Sequence, residues 1–258
     1  MTGYRGFIAS HLLPELRDEE LSLIEQDDYP LIERVKGTNA IIHLGAIAGA
    51  RPDISPLEYF EYNVKRTVEL LEAARLAGTE RFIFISTCTV SHGIKNIYDM
   101  SKLQAEQWCE VYRNHINDIA ILRLHNVYGE GDSKSVVGKF VDAVVKGTPI
   151  IIHGHGRQTR DFVYVKDVVR AIKKALYYKG PLNREFEVGT GGETSINDLA
   201  DMIFRISGKT VSIEHAPLPY AQLDSVRCPE PLYVEKPVPL EDGLKLLLKA
   251  RSAHNSSG

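Results

Sequence analysis

Short, uniformly apolar runs alternate along the chain with segments whose apolar positions recur every three or four residues. Ala40 to Leu44 (AIIHL), Arg81 to Ile85 (RFIFI) and Ile119 to Leu124 are apolar nearly throughout, the pattern of strands buried on both faces. Between them, Pro56 to Ala77 repeats Leu57, Phe60, Val64, Val68 and Leu71 at helical spacing, and Gly78 supplies the stop. Tyr98 to Tyr112 is a second helix, with Leu103, Trp108, Val111 and Tyr112 expected in the core. Strands alternating with amphipathic helices predict an α/β chain built on a parallel sheet covered on both faces.

The second half is less regular. Helices are predicted over Ser135 to Lys146, from Asp167 as cap to Tyr177, from Thr194 or Ser195 to Ser207, and over Leu240 to Lys249. Pro149 to His153 and Phe186 to Val188 read as strands. Residues 216–239 hold six prolines and are predicted to be an irregular excursion.

Composition narrows the function classes. The chain has 258 residues, 43% hydrophobic and 25% charged, with a net charge of −3. Near neutrality gives no reason to expect nucleic acid or an acidic membrane as partner. No apolar run approaches the roughly 20 residues of a membrane span. Three cysteines, Cys88, Cys109 and Cys228, fit no zinc spacing, and no signal-peptide pattern follows Met1, so the expectation is a cytoplasmic protein without a structural metal. His153 and His155 lack an evident third ligand and read as turn residues.

Two stretches carry candidate chemistry. Thr2 to Ser10 (TGYRGFIAS) has Gly3, Gly6 and Ala9 at spacings of three, a turn that lets backbone approach a pyrophosphate at a helix start. The expected preceding strand is absent, and the acidic ribose-binding residue has three candidates, Glu25, Asp27 and Asp28. Tyr98 and Lys102 stand at i and i+4, one helix face, where an ammonium would lower the phenol pKa and make a general base. Ser86, Thr87, Cys88 and Thr89 follow the apolar run Phe82 to Ile85, so hydroxyls emerge at the carboxyl edge of the sheet, where ligands bind.

Taken together these segments resemble the extended short-chain dehydrogenases/reductases that act on nucleotide sugars, of the UDP-glucose 4-epimerase kind. TGYRGFIAS is similar to that family's TGxxGFIGS, AIIHLGA to VIHLAA, NVKRT to NVxGT, YDMSK to YxxSK, LRLHNVYG to LRxxNVYG, GHGRQTRDFVYV to GxGxQxRDFVYV, and FEVGTG to YNVGTG. The resemblance covers nearly the whole chain. It implies a Rossmann-like doubly wound parallel sheet, incomplete at the N terminus, with a smaller C-terminal substrate-binding α/β domain. The implied boundaries are residues 1–128 for the NAD-binding part, with 160–180 returning to it, 129–250 for the substrate-binding part, and 251–258 as a tail.

Residue by residue, the resemblance implies that Gly3, Gly6 and Ala9 surround the NAD pyrophosphate, that Phe7 and Ile8 also meet the cofactor, and that Asp27, after an apparent strand Leu21 to Glu25, sits near the adenine. Leu44, Gly45, Ala46 and Asn63 would line the cofactor cleft. Thr87 would hold the reacting oxygen, Tyr98 would be the base, and Lys102 would also hold the nicotinamide ribose. Asn126 and Arg160 would bind the diphosphate of a UDP-linked sugar. Arg160 has a bidentate fork suited to phosphate, with an ion pair to Asp161 or Asp167 as the structural alternative. The helices at 56–77 and 98–112 would make a homodimer.

Two departures matter. Relatives that dehydrate carry Asp-Glu after the catalytic Thr, whereas Cys88 and Thr89 stand here, which points to 4-epimerisation through a transient 4-keto sugar. An arginine of a later phosphate clamp is replaced at Leu218 to Ala221, with Arg227 as a substitute. The alternatives are an NAD(P)-dependent reductase or decarboxylase of a nucleotide sugar, or a shortened, catalytically silent binding relative.

Overall fold

The structure is a computed structural model and describes residues 1–25, 27–218, 221–229 and 233–255. Within it the chain forms two compact units, residues 1–124 with 169–187, and residues 125–168 with 188 onward. The first crossing thus falls at Leu124 and the returning stretch is Val169–Glu187, against the expected 128 and 160–180.

The first unit is organised by a four-stranded sheet in the order Ala40–His43, Arg81–Thr87, Asp118–Leu124, Glu185–Val188. The first three are parallel, with Ile42 beside Ile83 and Phe84 beside Ile121. Their β-branched and aromatic residues are buried, as a sheet covered by helices requires. Beyond the edge strand, Thr2 makes single parallel bridges to both Ile24 and His43. The predicted strand at Leu21 to Glu25 is reduced to that one bridge at Ile24, because only Met1 and Thr2 offer it backbone partners.

The helix predicted over Pro56 to Ala77 is continuous, but it widens to i+5 hydrogen bonding over Phe60–Lys65. Ser55 and Glu58 form a reciprocal capping box at its start, and Gly78 ends it in the left-handed region at φ 70°. The helix Ile97–Tyr112 starts at Asn96, whose side chain accepts from the Asp99 N–H. Its inward residues are Ala105 and Cys109. Trp108 and Val111, expected in the core, are instead 43% and 53% exposed, because they lie on the opposite face.

The second unit holds several short strand pairs, of which only Ile150–His153 falls on a predicted strand. Asn126–Tyr128 pairs with Phe162–Tyr164, and Ile150–His153 pairs with Ile213–Ala216, both parallel. The 216–239 excursion is not wholly irregular, since Ser225–Val226 pairs with Thr159–Arg160. The helix Val165–Tyr177 begins before Asp167, so Asp167 is not its cap; its carboxylate accepts from the Val238 N–H at 2.7 Å. Ser195 caps Ile196–Ser207. The final helix runs from Leu240 to Asn255, past the predicted end, which takes most of the expected tail into it; residues 256–258 lie outside the described residues.

Candidate active site and nucleotide cleft

The glycine-rich start closes on the first strand through steric necessity. Gly3 has φ 65°, and a Cβ there would lie 2.6 Å from the Gly45 nitrogen. Only glycine permits this approach. Gly6 precedes the helix Phe7–Leu12 and its N–H donates to the Gly3 carbonyl at 2.9 Å. Phe7 and Ile8 occupy the first turn of that helix.

Behind the loop runs a buried polar chain. The Gly45 N–H donates to Thr2 Oγ1 (3.0 Å), which contacts His43 Nδ1 (2.6 Å), and His43 Nε2 contacts Thr67 Oγ1 (2.9 Å). Burial pushes the His43 imidazole down to about 3, with the Lys102 and Arg66 charges adding to the effect, so the ring is neutral at pH 7. Asn63 works from the same side: its amide accepts from Ile47 N–H (2.8 Å) and donates to Ile47 O (3.1 Å) and Ser101 Oγ (2.9 Å). Asn63, predicted to meet the cofactor, therefore clamps the backbone beside Gly45 and Ala46.

In front of the loop is a cavity of about 260 Å³ whose lining includes Gly3, Glu25, Gly45, Ala46, Tyr62 and Arg66. Gly3, Gly45 and Ala46 were expected there. Asp27 was expected near an adenine, but it is exposed and does not line the cavity. The acidic lining residue is Glu25, which follows the bridge at Ile24 and pairs with Arg5 at 2.6 Å and with the Tyr4 hydroxyl. Glu25 is one of the three acidic candidates; the ion pair and hydroxyl contact that hold it at the rim come from Arg5 and Tyr4, twenty or more residues away in sequence, so spacing alone does not single it out. Arg66 donates to the carbonyls of Glu25 (2.9 Å) and Asp28 (3.2 Å) and stacks on Tyr29. A concave site walled by glycine backbone, with one carboxylate at its rim, suits a nucleotide.

Thr87 ends the central strand, and its hydroxyl, with the backbone at Gly49, acts on the phenol of Tyr98 in the direction that favours the phenolate. The next residue, Cys88, has a buried thiol. Burial, with Cys88 and Asp99 adding to it, pushes the Tyr98 phenol well above its usual value. The Lys102 ammonium donates to the Ile85 carbonyl at 2.7 Å and lies 4.0 Å over the Phe84 ring. The reason is desolvation: Lys102 is 3% exposed, a buried ammonium must find an acceptor, and the strand carbonyl is at hand. Burial also lowers Lys102 to about 8.

In the second unit, Asn126 donates through its amide to the Asp161 carbonyl (3.3 Å). Arg160 reaches Gln222 Oε1 (3.0 Å) and its neighbouring carbonyl at Thr159 (2.6 Å). The Asp161 carboxylate accepts from Thr190 N–H and Oγ1, Gly191 N–H and Cys228 N–H. It thus fixes the Gly189–Gly191 turn, and Gly189 has no room for a Cβ, which would lie 2.6 Å from the Cys228 Cβ. Arg227 donates to Gly191 O at 2.7 Å. Pro219 and Tyr220, in the stretch read as a lost phosphate clamp, lie outside the described residues.

Similarity to known proteins agrees with this geometry. The model of the NAD dependent epimerase/dehydratase family matches residues 1–189. A putative UDP-glucose 4-epimerase of Methanocaldococcus jannaschii is 32% identical over 79% of this chain and 80% of its own. A UDP-N-acetyl-alpha-D-glucosaminuronate decarboxylase of Bacillus cytotoxicus is 28% identical over 84% of this chain and 82% of its own. Among solved structures, MoeE5 in complex with UDP-glucuronic acid and NAD superposes with a TM-score of 0.90 at 27% identity, covering 98% of both chains.

Proposed function

The chain belongs to the NAD dependent epimerase/dehydratase family, and from that premise we propose that it inverts C4 of a UDP-linked hexose, using NAD and a transient 4-keto sugar. The observation that carries the reading is that Thr87 acts on the phenol of Tyr98 in the same unit that holds the glycine-walled cavity.

The cavity fits a nucleotide cofactor: Gly3 holds a backbone approach that any Cβ would block, and Glu25 offers a carboxylate to a ribose hydroxyl. Gly3, Gly6 and Gly45 would hold the pyrophosphate, with Ala46 beside it. When bound, NAD supplies the reversible two-electron acceptor that interconverts a secondary alcohol and a ketone. Tyr98 takes the proton of the sugar C4 hydroxyl and later returns it to the opposite configuration. Thr87 orients that oxygen. The Lys102 ammonium, fixed by Ile85, contributes the positive field that favours the phenolate once the site is closed to water. Asn126 and Arg160 meet the sugar-nucleotide diphosphate, where the guanidinium offers paired donors.

Cys88 and Thr89 leave no carboxylate after Thr87 for water elimination, which favours epimerisation over dehydration. The decarboxylase among the similar proteins keeps one alternative in view, decarboxylation of a nucleotide-linked uronic acid. Turnover of UDP-glucose with a catalytic quantity of NAD and no gas release supports epimerisation. Carbon dioxide release from UDP-glucuronate, or NADH formed in proportion to product, overturns it.

The chain also has a surface suited to pairing with a second copy. Leu57, Phe60 and Leu76 on one helix, and Met100, Trp108 and Val111 on the helix packed against it, are exposed large apolar residues. A homodimer would cover them. Among the described residues no helix is long and apolar enough to cross a membrane. Three free buried thiols suit a reducing cytoplasm.

A further inference from the structure

The Thr87 hydroxyl, which acts on the Tyr98 phenol, also touches the hydroxyl of Thr89. Their Oγ1 atoms are 3.1 Å apart, and either geometry of donation fits that contact taken alone. Thr89 removes the ambiguity. Its hydroxyl donates to Asp99 Oδ1 at 2.8 Å. Asp99 is 2% exposed, and its other oxygen accepts from the Lys95 N–H (3.1 Å) and the Asn96 amide (2.9 Å), groups that can only donate. With its one hydrogen committed to Asp99, Thr89 offers Thr87 only lone pairs. The Thr89 N–H also points at Thr87 Oγ1, at 3.5 Å.

We propose that Thr89, anchored by Asp99, sets the direction of the Thr87 hydroxyl: the hydrogen of Thr87 faces Thr89, and its lone pairs face Tyr98. Thr89 and Asp99 are positioning residues, acting through Thr87. The kinetic part of this inference rests on the roles given above to Thr87 and Tyr98; the hydrogen positions do not. In the resting site Tyr98 then donates its phenolic hydrogen to Thr87. To stabilise a phenolate, Thr87 must turn its hydrogen away from Thr89 and toward Tyr98, which breaks the Thr87–Thr89 bond. The pair therefore holds the phenol neutral and makes its ionisation depend on a reorientation that a bound sugar oxygen can drive. The other groups acting on the phenol are Cys88 after the strand, Asp99 on its own helix and Tyr59, whose ring centroid is 6.3 Å away. Thr89→Ser leaves all of these in place, because it keeps the hydroxyl that Asp99 Oδ1 accepts from.

Neutron diffraction from deuterated crystals locates the hydrogens. Density for the Thr87 deuterium toward Thr89, and for the Thr89 deuterium toward Asp99, is expected; a Thr87 deuterium lying toward Tyr98 overturns the proposal. This result does not require turnover, so an inactive protein would refute the reaction and leave the test of the hydroxyl direction standing. In the active enzyme, Thr89→Val should move the acidic limb of the kcat/KM profile down by about one pH unit, the worth of one neutral hydrogen bond. Thr89→Ser should restore the wild-type profile. A limb unmoved in Thr89→Val, or equally moved in Thr89→Ser, overturns it.

Discussion

The ammonium of Lys102 donates to the carbonyl oxygen of Ile85, 2.7 Å away, one helical turn beyond Tyr98. This bond joins the helix to the central strand at the point where Thr87 leaves it, and it holds a charge in a nearly dry place. Burial lowers the lysine from its ordinary 10.5 to about 8. Because the folded value is below the unfolded one, the unfolded chain binds more protons between pH 8 and 10.5, and the fold should gain stability as pH rises through that window. The gain from this group is about 3 kcal/mol at most. Urea titrations of wild type and Lys102→Met at pH 7.5 and 10 (roughly the two ends of the window) check it: the variant should lose this rise. Turnover should decline above about pH 8, where the ammonium is lost.

Gly3→Ala forces a side chain into Gly45 at a φ of 65°. We expect a loss of about 1–3 kcal/mol in stability and a larger proportional loss in NAD affinity, since the loop that meets the pyrophosphate must shift. Calorimetric titration with NAD and a thermal melt measure the two effects separately.

Asp161→Ala removes the common acceptor of the Thr190, Gly191 and Cys228 N–H groups in a fully buried position. Leaving such donors unsatisfied should destabilise the protein by about 2–4 kcal/mol, seen as a lower denaturation midpoint. Asp161→Asn should be intermediate, because the amide keeps one acceptor oxygen.

Trp108→Glu adds a charge to the apolar face shared by the two packed helices. Sedimentation should give a dimer for wild type and a monomer for the variant, with an unchanged circular dichroism spectrum. A wild type that sediments as a monomer at micromolar concentration contradicts the proposed pairing.

The central sheet and its helices were legible because their burial is uniform. Phe82 to Ile85 and Ile119 to Leu124 are apolar on both faces, and Gly78, Ser195 and Gly208 mark helix ends by backbone chemistry. The pairs Asn126–Tyr128 with Phe162–Tyr164 and Thr159–Arg160 with Ser225–Val226 were not, because two or three residues leave no period to read. At the site, residue types were readable and their partners were not. Tyr98 and Lys102 do share a helix face, yet desolvation sends the lysine to Ile85. The resemblance implies a cofactor contact for Asn63, and its amide holds the Ile47 backbone beside the cleft. Glu25 is one of three candidate carboxylates, and its partners at the cavity, Arg5 and Tyr4, lie twenty or more residues away in sequence.

The most direct test is proton NMR of UDP-glucose incubated with NAD and either wild type or Tyr98→Phe. The account predicts UDP-galactose accumulating to a fixed ratio with wild type, and turnover lower by at least about a hundredfold in the variant, which should still fold and bind NAD. Unchanged turnover in Tyr98→Phe would contradict the assignment of the base, and no C4 inversion of any UDP-hexose by wild type loaded with NAD would contradict the reaction itself.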